Sequence, residues 1–248
     1  MILDEILKFR REQLEREKQH CAPAEMERLA RAALEKRKPL SLAKALRQNT
    51  LSCICEVKKA SPSKGLICPD FHPVEIAKTY AAAGANAISC LTEEHFFQGS
   101  SEYLKQIREA VQIPILRKDF LFEEYQIFEA VLEPERLAQL YRLAYSLELE
   151  VLVEVHDQEE LESIRFLEPE ILGVNNRNLK TFAVSLDTVA KLKPYAPEHA
   201  VFVSESGIRT NADMRMVRQL GADAVLIGET LMRSGDAAKT LQALREDV

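Results

Sequence analysis

Residues 54–65 read ICEVKKASPSKG. The run opens as an apolar strand and closes in a Ser-Pro-Ser-Lys-Gly loop. Glu56 and Lys58 stand two residues apart where a strand is expected to stay apolar. Side chains alternate across a strand, so these two share one face while Cys53, Cys55 and Val57 share the other. Small apolar side chains suit packing against helices, but a face bearing an acid and a base needs another setting. Where that face points decides the fold.

Six further β-rich runs accompany this one. The seven are LSCICEVK (51–58), NAISCLT (86–92), IPILRKDF (113–120), EVLVEVH (150–156), ILGVNN (171–176), AVFVSES (200–206) and DAVLIGE (223–229). Amphipathic helices such as PVEIAKTYAAAG (73–84), SEYLKQIREAV (101–111) and ADMRMVRQLG (212–221) fill the gaps. Two of them run into Gly-Ala-Asn (84–86) or Gly-Ala-Asp (221–223), sequences suited to a helix stop. Alternating strands and helices predict right-handed crossovers and a parallel sheet. No Gly-x-Gly-x-x-Gly follows any strand, so an open dinucleotide-binding sheet has no support.

Five of the seven runs carry polar residues at or near their C-terminal ends: Glu56 and Lys58, Lys118, Glu154, Asn175, then Glu205 with Ser206. In a closed barrel those ends meet on one rim, where barrel enzymes keep their chemistry. One such charge alone would read as a solvated strand end or a structural ion pair. Several ionisable groups gathered at one end require a shared reason. The expected fold is therefore an α/β (β/α)8 barrel of the TIM type, with Glu56 and Lys58 turned inward.

At 248 residues the chain suits a single barrel domain (1–248), with residues 1–48 as a helical extension. A hydrophobic share of 46% provides the core, and a net charge of -6 shows none of the basic excess of a nucleic-acid binder. The opening MILDEILKFRREQLEREKQHC places Ile2, Leu3, Ile6, Leu7 and Leu14 among mixed charges. That pattern predicts an amphipathic helix docked on the domain rather than a signal peptide or membrane-surface helix. No apolar run is long enough to span a bilayer, and the expected location is the cytoplasm. Cys21, Cys53, Cys55, Cys68 and Cys90 form no C-x-x-C pair, so they read as packing residues and no metal site is expected.

Two loops suggest where an anion would sit. SESGIRT (204–210) and IGETLMR (227–233) each place a glycine where backbone N–H groups can approach phosphate, with a helix soon after. Barrels most often bind phosphate with the loops after their last two strands, which is where these lie. SPSKG (61–65) adds a serine hydroxyl and a lysine but lacks the full nucleotide P-loop pattern.

In order along the chain, CEVKKASPSKG, LTEEHFFQGS, ILRKDF, EVLVEVHD, GVNNRNL, VSESGI and LIGETLM resemble the motifs of the indole-3-glycerol-phosphate synthase family. The likeness covers nearly the whole chain and implies a barrel enzyme of tryptophan biosynthesis. Its reaction turns 1-(2-carboxyphenylamino)-1-deoxyribulose 5-phosphate into indole-3-glycerol phosphate with loss of carbon dioxide and water. The resemblance implies neither metal nor organic cofactor, and a small phosphorylated substrate as partner. No nucleic acid and no membrane is expected, and the expected state is a monomer open to contact with other enzymes of the pathway.

By the same resemblance, Lys118 is the acid that protonates the ketone oxygen as the ring closes. Lys58, Glu56 and Glu154 look like the groups for the dehydration, and which carboxylate is the base stays open. Asn175 and Glu205 would orient hydroxyls and lysines. Arg177 suits the anthranilate carboxylate. Ser61, Ser206, Gly207, Gly228 and the backbone near Glu229 would hold phosphate, and Phe97, Phe120 and Leu179 would meet the aromatic ring.

The pattern is broken in one place. Between RKDF and EVLVEVH the family carries a helix, a strand and a second helix. Here only LFEEYQIFEAVLEPERLAQLYRLAYSLEL (121–149) intervenes, with EYQIFEA matching the first helix and EPERLAQLYRLAYSLE the second. About a dozen residues, enough for the fourth strand and its turn, are missing around Ala130–Val131. Smaller departures are Asn178, where the family usually shows aspartate, and Thr230. The expected barrel is thus one strand short. A catalytically impaired homologue that binds a phosphorylated ligand or a partner is the alternative. A phosphate-binding isomerase such as phosphoribosylanthranilate isomerase would need a cysteine and an aspartate at opposing strand ends, and that pair is not found.

Overall fold

The computed structural model describes residues 2–36, 39–120, 123, 134–178 and 181–248. Among them, seven parallel strands form one sheet: β1 (Ser52–Val57), β2 (Ala87–Leu91), β3 (Ile115–Lys118), β4 (Leu152–Val155), β5 (Ile171–Asn175), β6 (Val201–Glu205) and β7 (Ala224–Ile227). Their order is β3-β2-β1-β7-β6-β5-β4, so β3 and β4 are its two edges. The sheet is curled, because Lys118 from one edge forms an ion pair with Glu154 from the other. The strand expected between them has no counterpart among the described residues. Ala130–Val131, where the missing segment was placed, and the EYQIFEA helix lie outside them.

The two faces of the sheet carry two cores. Ile54, Ala87, Ile171, Val201, Val203, Ala224 and Leu226 pack inside the curl. Cys53, Cys55 and Val57 pack outside it with Tyr80, Ile107, Met214 and Leu241 from the surrounding helices. The alternation read from residues 54–65 is therefore the alternation of the molecule. Burial holds the Cys53 thiol up at about 11, so it stays protonated and packs as an apolar group. The edges are less well covered: β3 is half-buried along its length, whereas β1, β2, β6 and β7 are fully buried.

The N-terminal segment forms α1 (Ile2–His20), α2 (Pro23–Lys36) and α3 (Leu42–Leu46). Ile6, Arg10 and Leu14 recur at four-residue spacing and are the buried stripe of α1. The short α3 closes the floor of the curl with Leu42, Ala43 and Leu46. Ser41 caps it, and Glu150 at the foot of β4 accepts from Ser41 Oγ at 2.6 Å and from the Ala43 N–H at 2.8 Å. Gly84 and Gly221 end their helices at φ +93° and +92°, the left-handed conformation that the Gly-Ala-Asx sequences predict.

Candidate active site

Parallel strands deliver their C-terminal ends to one rim, and a cavity of about 2020 Å³ runs from that rim down between β3 and β4 to Leu42, Pro114 and Glu150 at the foot. Glu56, Lys58, Lys118, Glu154, Asn175 and Glu205 all line it. Ser61, Phe97, Phe120, Arg177, Ser206, Gly207, Gly228 and Glu229 line it as well, whereas Leu179 lies outside the described residues. The residues expected from the sequence thus converge on one space.

Two lysine–carboxylate pairs face that space. Lys58 donates to Glu56 Oε2 within β1 and its extension. Lys118 donates to Glu154 Oε2 across the two edges and lies 3.4 Å from Glu205 Oε2. Burial works against the Lys118 charge, but Glu154 and Glu205 overrule it and hold the ammonium well above its ordinary range. The two carboxylates share this one lysine and diverge. Burial would raise Glu154, yet Lys118, His156 and the Asn175 amide, which donates to Oε1 at 2.8 Å, keep it ionised and well below the usual range. Glu205 is raised to about 7 by burial and by the Glu154 charge, with Lys118 opposing.

Glycines make room for these carboxylates. A Cβ on Gly173 would stand 2.2 Å from Glu205 Oε1, and one on Gly228 would stand 2.3 Å from Glu56 Oε2. Strand register explains both: Gly173 pairs with Glu154 in β4 and Val203 in β6, and Gly228 follows Ile227, whose partner Cys55 precedes Glu56. Neither glycine could carry a side chain without moving an acid of the site.

The rim loops are tied down. Glu93 accepts from the N–H groups of His95, Phe96 and Phe97 at 2.8–2.9 Å, which fixes Phe97 beside Phe120 with ring centroids 6.1 Å apart. Asn176 donates to Ser204 Oγ at 2.9 Å and to the Ser206 carbonyl at 3.0 Å, joining the ends of β5 and β6. Thr230 Oγ1 donates to the Ile208 carbonyl at 2.5 Å, fastening the two glycine loops to each other. Lys64, Arg177 and Arg233 approach the Glu229 carboxylate at 3.7, 3.8 and 3.3 Å, so three cations gather around one acid on this side of the rim.

Three features escaped the sequence reading. Asp119 follows Lys118 and is buried among Arg10, Arg117 and Thr92, which donate to it at 2.6–2.9 Å. Arg10 comes from α1, and no local pattern joins residues so far apart. Gly173 opens the GVNNRNL motif, but its contact across the sheet is visible only in three dimensions. His156 was legible, because it stands two residues after Glu154 on the same face, as Lys58 stands after Glu56.

Comparison with known proteins points to one family. The family model described as indole-3-glycerol phosphate synthase matches residues 3–244. A protein of Geobacillus sp. (strain WCH70) named indole-3-glycerol phosphate synthase is 50% identical over 226 residues, covering 86% of this chain and 88% of the relative. One from Halalkalibacterium halodurans with the same name is 44% identical over 259 positions, covering 98% of this chain and 96% of the relative. Since 98% of 248 residues is about 243, roughly 16 of those 259 positions have no residue here. Among solved structures, the N-acetylmannosamine-6-phosphate 2-epimerase from Clostridium perfringens superposes with a TM-score of 0.57 at 12% identity, over 78% of this chain and 92% of that one. That likeness concerns the fold.

Proposed function

This chain belongs to the indole-3-glycerol phosphate synthase family, a family of carboxy-lyases, and on that premise we propose how its cavity does the chemistry. The substrate is 1-(2-carboxyphenylamino)-1-deoxyribulose 5-phosphate. Its aromatic carbon bearing the carboxylate attacks the ketone carbon, and the ketone oxygen takes the Lys118 proton. Carbon dioxide leaves, and its bonding pair restores the aromatic ring. The new hydroxyl then departs as water with a proton from an acid, while a base removes a proton from the adjacent carbon to form the indole double bond.

The observation that supports this reading is the placing of two lysine–carboxylate pairs on one cavity. Lys118 is held cationic between two carboxylates, as an acid at a developing oxyanion must be. Glu154 is held ionised, the state a base requires, and we assign it that role in preference to Glu56. Lys58 supplies the proton for the departing hydroxyl. Arg177 binds the anthranilate carboxylate; Lys64, Arg233, Ser61 and the N–H groups around Ser206, Gly207, Gly228 and Glu229 receive the phosphate. Phe97 and Phe120 flank the ring.

The open edge between β3 and β4 favours a second reading, a homologue that retains ligand binding but has lost turnover. Lys118→Met separates the two when compared with Lys78→Met, an exposed change on the helix Pro73–Ala82. The first is expected to lower turnover by about 10²-fold or more and the second to leave it unchanged. Equal activity in all three proteins would refute the role given to Lys118.

A further inference from the structure

The charged residues around Glu154 include one that no step above uses. His156 follows β4, and its ring stands on the cavity wall between two acids. Nδ1 lies 3.0 Å from Glu160 Oε2, and the same oxygen accepts from the His156 backbone N–H at 2.7 Å. Glu160 belongs to the helix Gln158–Ser163, which Asp157 caps by accepting from the Glu160 N–H at 2.9 Å. Nε2 points the other way, 3.4 Å from Glu154 Oε1. It is buried and makes no hydrogen bond among the described residues.

We propose that His156 is a positioning residue for Glu154, its ring anchored by Glu160 through Nδ1 and holding the Glu154 carboxylate through Nε2. This rests on the reading of Glu154 as the base. The arrangement is an acid–imidazole–acid chain, and a ring with an acceptor at each nitrogen is best satisfied when both carry protons. The charged groups facing the ring are Glu154 on its own strand, Glu160 on the next helix and Glu205 on β6. Burial lowers the tendency of the ring to be charged, and these three carboxylates raise it further than burial lowers it. Lys118 stands on the other side of Glu154, so the two carboxylate oxygens meet different elements. Lys118 donates to Oε2, Asn175 donates to Oε1, and His156 Nε2 approaches Oε1 without a hydrogen bond. Turning Oε1 away from the cavity would break the Asn175 hydrogen bond and separate the carboxylate from the His156 ring.

The consequence can be read in kinetics. Removing the cation beside Oε1 raises the pKa of Glu154, so the acid limb of the kcat–pH profile moves to higher pH. Misplacing the carboxylate lowers kcat by about 10- to 100-fold with little change in KM. His156→Leu is expected to show both effects. His156→Gln, which retains an N–H for Oε1 but no charge, is expected to recover part of kcat while keeping the displaced limb. Unchanged kcat and acid limb in His156→Leu would overturn the inference, and so would a lower kcat with an unmoved limb and a lower melting temperature. Glu154→Gln distinguishes the failures. If it keeps wild-type kcat, the assignment of Glu154 falls and this inference with it; if it is inactive while His156→Leu is normal, only the inference about His156 falls.

Discussion

At the scale of single residues, the site works by setting neighbouring acids against each other. Glu154 and Glu205 both face Lys118, but Glu154 also holds Asn175 and His156, while Glu205 Oε1 has no hydrogen-bond partner among the described residues. The raised carboxyl carries a stability consequence with a definite sign. A group whose folded pKa lies above its unfolded value stabilises the fold at low pH and loses that contribution as pH rises through the folded value. For Glu205 the window runs from the ordinary carboxylate range, about 4.3, up to about 7. Chemical-denaturation midpoints of the wild type relative to Glu205→Gln should therefore decline between pH 4.5 and 7. A difference independent of pH would show that Glu205 is not raised. Gly173→Ala should push the Glu205 carboxylate aside and lower turnover by about 10²-fold, the usual result of a displacement near 1 Å. An alanine variant with normal kinetics would show that Glu205 has room to move.

At the scale of elements, the sequence was informative where a signal is periodic and silent where it is distant. The alternation in residues 54–65 gave the facing of β1, and the polar strand ends gave the rim and most of its side chains. The buried stripe of α1 was only partly legible. Ile6 and Leu14 follow the apolar pattern, but Arg10 sits between them, fully buried, because Asp119 at the end of β3 neutralises it. Burial alone would raise Asp119; Arg117, Arg10 and Thr92 overrule it and hold the carboxyl below its usual range. A depressed carboxyl stabilises above its unfolded pKa, about 3.9, and that contribution is lost as pH falls through the folded value. Asp119→Asn should thus flatten the loss of stability below about pH 4. Arg10→Met leaves part of a buried ionic network unpaired, and should cost about 3 kcal/mol and lower the melting temperature by about 10 °C. A change under about 1 °C would mean that α1 is not clamped to β3 through this pair.

At the scale of the whole molecule, the described residues carry the acids and bases of the candidate site on a sheet of seven strands. Parallel barrels of this class close with eight strands and a linked stagger, so β3 and β4 present edges where a neighbour is expected. Those edges are the least buried strands, yet Lys118 and Glu154 meet across them. Among the described residues this ion pair, rather than backbone pairing, links the two sides. Calorimetry should show a broader or lower-temperature transition than that of a relative carrying the extra segment. A sharp transition at equal or higher temperature would contradict a weakened fold. The most direct test of the account is turnover by the unaltered protein. Purified chain given 1-(2-carboxyphenylamino)-1-deoxyribulose 5-phosphate should form indole-3-glycerol phosphate, followed by its fluorescence, in repeated turnovers. Saturable binding of the substrate with no fluorescent product would contradict the claim that this seven-stranded site is catalytic.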